Sequence, residues 1–200
     1  AVRLEVENKV DPSILQYLQK ELDVPDRDVY EIHGPLDLSF VSKLSKIPGY
    51  SHLQYDSLIP QTPQDLLGEN DIFEAIRKKD ILLHHPYESF DYVVEFVRKA
   101  AEDPDVLAIK QTLYRVSGQS PIIKALAVAA ENGKQVTVLV EVKARFDEEN
   151  NIHWARRLEQ AGCHVIYGLV GLKTHCKITL VVRREEQGIR RYVHLGTGNY

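Results

Sequence analysis

Between residues 81 and 167, short runs of β-branched and other apolar residues alternate with amphipathic stretches, and this alternation constrains the fold most. Ile81–Leu83, Val106–Leu113, Gln135–Val142 and His164–Tyr167 read as strands, the third apolar enough to be buried on both faces. Ser89 caps a helix whose apolar face is Phe90, Val93, Val94 and Val97. Ser120-Pro121 opens a second helix that closes at Asn132-Gly133, with proline at the start and glycine past the end. Asn150–Gln160, stopped by Gly162, is a third. This order specifies an α/β fold with a mainly parallel sheet and flanking helices. Cys176–Val182 and Arg191–Leu195 follow as a hairpin around a polar turn, Arg183–Arg190.

The first sixty residues have a different character. Val2–Val6 alternates like a strand, Asp11-Pro12 starts a helix with Ile14, Leu15, Leu18 and Leu22 on one face, Val29–Ile32 is a short strand, and Asp37–Leu44 reads as a helix. Ile47–Pro63 holds three prolines and reads as a connection. The expected boundary lies near Pro60–Pro63, with an α+β/helical piece over 1–61 and the α/β domain over 62–200, which opens with a short helix at Ile72–Lys78.

A composition of 44% hydrophobic and 27% charged residues is that of a globular protein and excludes disordered, collagen-like or disulfide-rich classes. No apolar run approaches the roughly 18 residues of a membrane span. The two cysteines, Cys163 and Cys176, form no CxxC pair, so a reduced cytoplasmic protein without a zinc site is expected. Methionine is absent, and the sequence therefore reads as part of a longer chain. Charge is uneven: residues 141–200 carry 10 Lys and Arg against 7 Asp and Glu, net +3, with four of the eight histidines. That third is the candidate for an anionic ligand.

Ligands of open α/β sheets collect beyond the carboxyl ends of the strands. The polar residues expected there are His84 and His85, Arg115, Lys143 and Arg145, Lys173–Lys177 and His194. This set is rich in Arg, Lys and His, and suits phosphate rather than a metal. The sharpest local signal is His175-Cys176-Lys177, because residues i and i+2 of a strand share a face. An imidazole can attack phosphorus while a neighbouring ammonium neutralises the transferring group. The bland readings are an exposed strand face for His175 and Lys177, a surface charge for Arg115, and a salt bridge to Asp147 or Glu148 for Arg145. His84 and His85 read as structural groups before Pro86, Trp154 as core, and Cys176 as a buried filler facing away from its neighbours.

His175-Cys176-Lys177 with Gly196-Thr197-Gly198-Asn199 resembles the HxK … GTxN pattern of the phospholipase D superfamily, in which a histidine is the phosphoryl nucleophile. Val182 stands where that superfamily usually has Asp, and the gap to the Gly-Thr is longer. The ordered set is more specific: the segment from Ile81 to Phe90, Lys110-Gln111-Thr112-Leu113-Tyr114-Arg115, the segment from Glu141 to Asn151, Gly171 to Lys177, and Tyr192 to Tyr200. It closely resembles bacterial polyphosphate kinases of the long-chain-synthesising type, over all 200 residues.

That resemblance implies that 1–61 is the end of a helical head domain. It implies that 62–200 is most of the first of two phospholipase D-like catalytic domains, the second being absent. The implied activity is reversible transfer of the ATP γ-phosphate to inorganic polyphosphate through a phosphohistidine, giving ADP. The motif histidine falls on His175, the motif lysine on Lys177, the two phosphate-site arginines on Arg115 and Arg145, and a further active-site histidine on His194. His194 is left with two roles, acid to the leaving oxygen or orientation of phosphate. Mg²⁺ is implied near Arg115 and Arg145; a guanidinium cannot ligate a cation, so the ion is expected on the nucleotide phosphates, with no direct protein ligand. Homo-oligomers, ATP/ADP and polyphosphate are the implied partners, and nucleic acid is not. The location implied is cytoplasmic, with peripheral association at the inner membrane, for which this stretch holds no amphipathic anchor. Two other functions compete: a phospholipase D-like phosphodiesterase or nuclease with water as final acceptor, and a noncatalytic polyanion-binding module.

Overall fold

The computed structural model describes residues 3–116, 120–143, 148–168 and 171–200. The chain divides into two compact units, Ala1–Ser57 and Leu58–Tyr200.

In the first unit, strands β1 (Leu4–Glu7) and β2 (Val29–Ile32) pair in parallel across helix α1 (Pro12–Leu22). The Asp11 side chain accepts from the Ser13 N–H at 2.8 Å and Pro12 occupies the first turn, so the predicted helix start is built as expected. The helix expected at Asp37–Leu44 is instead a 3₁₀ segment, Ser39–Lys46. The Ser42 and Ser45 hydroxyls donate to the carbonyls of Ser39 and Ser42, three residues back, which competes with α-helical bonding.

The second unit is a five-stranded sheet in the order β5-β4-β3-β6-β7. Its strands are β3 (Val106–Leu113), β4 (Gln135–Val140), β5 (His164–Tyr167), β6 (Lys177–Glu185) and β7 (Gly188–Gly196). β3, β4 and β5 are parallel; β6 is antiparallel to β3, and β7 to β6, so β6 alone of these five runs the other way. Helices α2 (Ile72–Lys78), α3 (Asp91–Glu102), α4 (Pro121–Glu131) and α5 (Glu148–Gln160) supply the packing. Ile109, Leu113, Val136, Val138, Val140, Val181 and Tyr192 of the sheet join Phe73, Phe96, Val97, Ile122, Ile123, Leu126, Trp154 and Leu158 of the helices in one core. Each large aliphatic side chain fully buried there is worth about 1.5–3 kcal/mol. Among the described residues no helix is long and apolar enough to cross a membrane.

Three sequence expectations change. Ile81–Leu83 forms no ladder, and Leu82 is 85% exposed. The backbone at His84 is used by Glu88, whose carboxylate accepts the His84 N–H at 2.6 Å and whose N–H donates to the His84 carbonyl at 3.0 Å. β4 is fully buried on one face only: Val136, Val138 and Val140 are enclosed, while Thr137 and Leu139 on the other face are partly exposed. The hairpin turn is only Glu186-Gln187, closed by Gly188 at φ 116°, so the polar run Arg183–Arg190 is mostly strand.

Because β6 runs opposite to β3, β4 and β5, its amino end lies at their carboxyl ends, and β7 finishes there too. Topology therefore brings residues near 114, 141, 168, 176 and 197 to one edge.

Candidate active site

At that edge the Tyr114 ring, just past β3, organises the cations. The His175 ring meets it at 4.8 Å and 68°. The Lys177 Nζ lies 5.1 Å and the Lys173 Nζ 5.2 Å from its centroid, and the Arg115 guanidinium carbon 5.7 Å. Lys177 is 3% exposed, and its Nζ stands 3.2 Å from His175 Nδ1 and 3.3 Å from Nε2. An ammonium only donates, so the imidazole nitrogen facing it is an acceptor with a lone pair. Among the described residues no carboxylate pairs with Lys173 or Lys177. A buried cation without a counter-ion is costly, and an incoming anion relieves that cost. His175 itself is exposed, so its ring is open to a ligand.

His175 precedes the first ladder residue of β6, and side chains hold its backbone on both sides. The Thr174 N–H donates to Glu141 Oε2 at 2.7 Å. On the other side Thr112 Oγ1 donates to the Cys176 carbonyl at 2.8 Å and accepts from the Ile178 N–H at 2.9 Å. Cys176, expected to be buried, is exposed, because it lies ahead of the strand and outside the helix-covered core.

His194 sits across the hairpin. Lys177 pairs with Gly196 and Thr179 with His194, so the two candidate side chains are offset by two residues along adjacent strands and share a face. A Cβ on Gly196 would stand 3.2 Å from His194 Cε1 and 3.7 Å from Lys177 Cβ; glycine keeps that gap open. His194 Nδ1 is 2.9 Å from the Tyr200 hydroxyl, which lies 3.0 Å from the Thr179 hydroxyl, itself 2.7 Å from Gln111 Oε1. Burial, and then the charge of His85, hold His194 below the ordinary histidine range; burial pushes the Tyr200 phenol up to about 12. His84, His85, Phe90, His194, Thr197 and Asn199 line a cavity of 580 Å³, so the paired histidines share a space with His194. His85 Nδ1 is 2.9 Å from the Glu88 carbonyl.

Thus His175, Lys177 and Arg115 gather round one ring, and His194 flanks them across the hairpin. Arg145 lies outside the described residues. Trp154 is core, as expected. Tyr114, Thr112 and Glu141 were not singled out from sequence; Tyr114 and Glu141 carry a signal only in lying one residue beyond strands that end at this edge. No group of three or more His, Cys, Asp or Glu among the described residues could hold a metal ion.

An α/β domain with cations collected at its strand ends is the class defined by this geometry, and comparison with known proteins narrows it. A sequence model of polyphosphate kinase C-terminal domain 1 matches residues 71–200, and one of the polyphosphate kinase middle domain matches residues 1–44. Polyphosphate kinases of Halalkalibacterium halodurans and Bacillus cereus are 65% and 66% identical over alignments of 203 residues, covering 100% of this chain and 29% of each relative. The crystal structure of polyphosphate kinase from Porphyromonas gingivalis matches with a TM-score of 0.73 at 32% identity, over 98% of this chain and 30% of that one. The chain belongs to the polyphosphate kinase family, and spans under a third of the length of these relatives.

Proposed function

We propose that the chain carries the nucleophile half of an ATP–polyphosphate phosphotransferase site, with His175 as the group that takes the phosphoryl. The observation that supports it most is Lys177, buried against the His175 ring with no carboxylate partner among the described residues. The names of the relatives supply the substrate class.

As the Lys177 ammonium turns from the ring to the phosphate oxygens, it frees the one lone pair of the neutral His175 imidazole, which attacks the γ-phosphorus of ATP. A P–N bond forms, the P–O bond to the β-phosphate breaks, and ADP leaves with that electron pair. A terminal oxygen of polyphosphate then attacks the same phosphorus, and the P–N bond breaks back to imidazole. The phosphohistidine step spares one polyanion a direct approach to another. Lys177 neutralises the equatorial oxygens, and Arg115 and Arg145 bind phosphate oxygens through their forks. When bound, Mg²⁺ would be carried by the nucleotide phosphates beside Arg115 and Arg145 and would supply further charge neutralisation. His194 orients phosphate or protonates the leaving oxygen. The HxK and GTxN segments that resemble the phospholipase D superfamily support this chemistry and a two-domain site. On that reading the 200-residue chain alone is weakly active or inactive.

The test is to supply the full-length enzyme with Mg²⁺ and ATP labelled on the γ-phosphate. Label entering an acid-insoluble polymer, matched by ADP, is the expected result. Label released only as inorganic phosphate would replace this reading with the hydrolase that shares its histidine. Robust polymer synthesis by the 200-residue chain alone would contradict the two-domain site.

A further inference from the structure

We propose that Glu141 is a positioning residue for the transfer reaction, setting the placement of His175 through the backbone of Thr174. This rests on the assignment of His175 as nucleophile.

Glu141 follows β4 directly, and its backbone is fixed on two sides. Its N–H donates to the Leu113 carbonyl at 2.9 Å, and its carbonyl accepts from Asn151 Nδ2 at 3.0 Å. The same amide group of Asn151 donates to the Tyr114 carbonyl at 2.7 Å, so α5 ties Glu141 to the residue whose ring supports His175. From this anchored base the side chain is 4% exposed and spends both oxygens on backbone. Oε1 accepts from the Lys143 N–H at 3.0 Å and Oε2 from the Thr174 N–H at 2.7 Å. Among the described residues no lysine or arginine pairs with it. A buried carboxylate without a cation is a poor source of stability. What it contributes is geometry: two N–H groups on separate segments converge on one planar acceptor pair.

The segment it holds needs such a support. Residues 172–176 have no regular secondary structure, yet they carry Lys173 and His175. Thr112 fixes the Cys176 carbonyl, the downstream side of His175, and Glu141 fixes the upstream side. With one clamp released, the His175 Cα can swing about the other. A misplacement of roughly 1 Å at a reacting group costs on the order of 10²-fold in rate. Only a carboxylate can serve both donors, because a glutamine turns its NH₂ towards one of the two N–H groups.

The experiment is single-turnover phosphoenzyme formation from γ-labelled ATP in the full-length enzyme, comparing wild type, Glu141→Gln and His175→Gln, with ATP affinity and thermal unfolding measured in parallel. The proposal expects Glu141→Gln to form label about 10²-fold more slowly, with ATP affinity within twofold and little change in unfolding temperature. Labelling at the wild-type rate would overturn it. So would a fall in ATP affinity and unfolding temperature that accounts for the slower labelling, since that is a structural role only. Should Glu141→Gln fail to fold, Thr174→Pro removes the donor from the other side, in a segment outside helix and strand, and must reproduce the selective loss. The controls keep the two readings apart. A wild type without acid-labile label defeats the His175 assignment. A labelled wild type, an unlabelled His175→Gln and a normal Glu141→Gln defeat the Glu141 proposal alone.

Discussion

Where β6 turns into β7, Arg183 lies 2.9 Å from Asp103, 3.5 Å from Glu185 and 3.7 Å from Asp105, and Arg77 and Arg190 approach the same Glu185 at 3.8 and 3.4 Å. At the opposite end of the same sheet, Lys177 is at least as buried, and among the described residues it faces an imidazole and an aromatic ring but no carboxylate. The two ends have clefts of similar size, 640 Å³ and 580 Å³, but the far one is walled largely by arginines and carboxylates, several of which pair with one another. The Tyr192 hydroxyl, then Arg77, Arg190 and Arg183, hold Glu185 below the usual carboxylate range. The far end spends its charges on locking α2, the loop after α3 and the hairpin together, whereas at the near end, among the described residues, Lys173 and Lys177 have no carboxylate partner.

The contrast breaks first, and most visibly, at Lys177. Lys177→Met keeps the length of the stem and deletes the charge. Phosphoenzyme formation is expected to fall by about 10²–10³, the usual cost of losing one preorganised group at a reacting oxyanion. Thermal stability should hold or rise, because an uncompensated buried charge has gone. A clear drop in unfolding temperature would mean that Lys177 is structural, like its counterparts at the far end. Arg183→Met should do the reverse. It strands Asp103 and takes one of three arginines from Glu185 in a largely buried network, an expected cost of about 2–4 kcal/mol or roughly 5–15 °C, with ATP turnover unchanged at permissive temperature. Loss of turnover without loss of stability would bring the far end into the chemistry.

The smallest effect is one of pH. Burial and the charge of His85 depress His194 in the folded chain, while the unfolded histidine binds a proton near 6.5. The stability that follows is complete above about pH 6.5 and is lost as pH falls from there towards the lowered folded value. Unfolding temperatures measured from pH 7.5 down to 5.5 should therefore fall more steeply in wild type than in His194→Asn. Parallel slopes would show that His194 is not held in the environment described.

Local pattern made most of the fold legible. The β-branched runs at Val106–Leu113 and His164–Tyr167 and the Asp11-Pro12 and Ser120-Pro121 starts report directly on backbone preference, and the structure has those elements. Ile81–Leu83 carries the same apolar signature, but Glu88 captures its end, a competition that periodicity does not register. In the candidate site, the Lys, Arg and His residues announced themselves by type and by position at strand ends. Their supports did not. Glu141 meets Thr174 across 33 residues and Thr112 meets Cys176 across 64, and such pairs exist only once the strands are in register. The Arg183–Asp103 pair, 80 residues apart, was hidden for the same reason, so a run of arginines read as a turn.

On the proposed function, the cation-rich strand edge presents His175 as a phosphoryl acceptor. The most direct measurement is mass-spectrometric mapping of acid-labile, base-stable label in the full-length enzyme after a single turnover with Mg²⁺ and γ-labelled ATP, beside His175→Gln. Phosphate is expected on the peptide containing His175, absent from the variant, and chased into polymer when unlabelled polyphosphate is added. Polymer synthesis with no labelled enzyme, or label on a different residue, would contradict it and leave His175 as a phosphate-binding group.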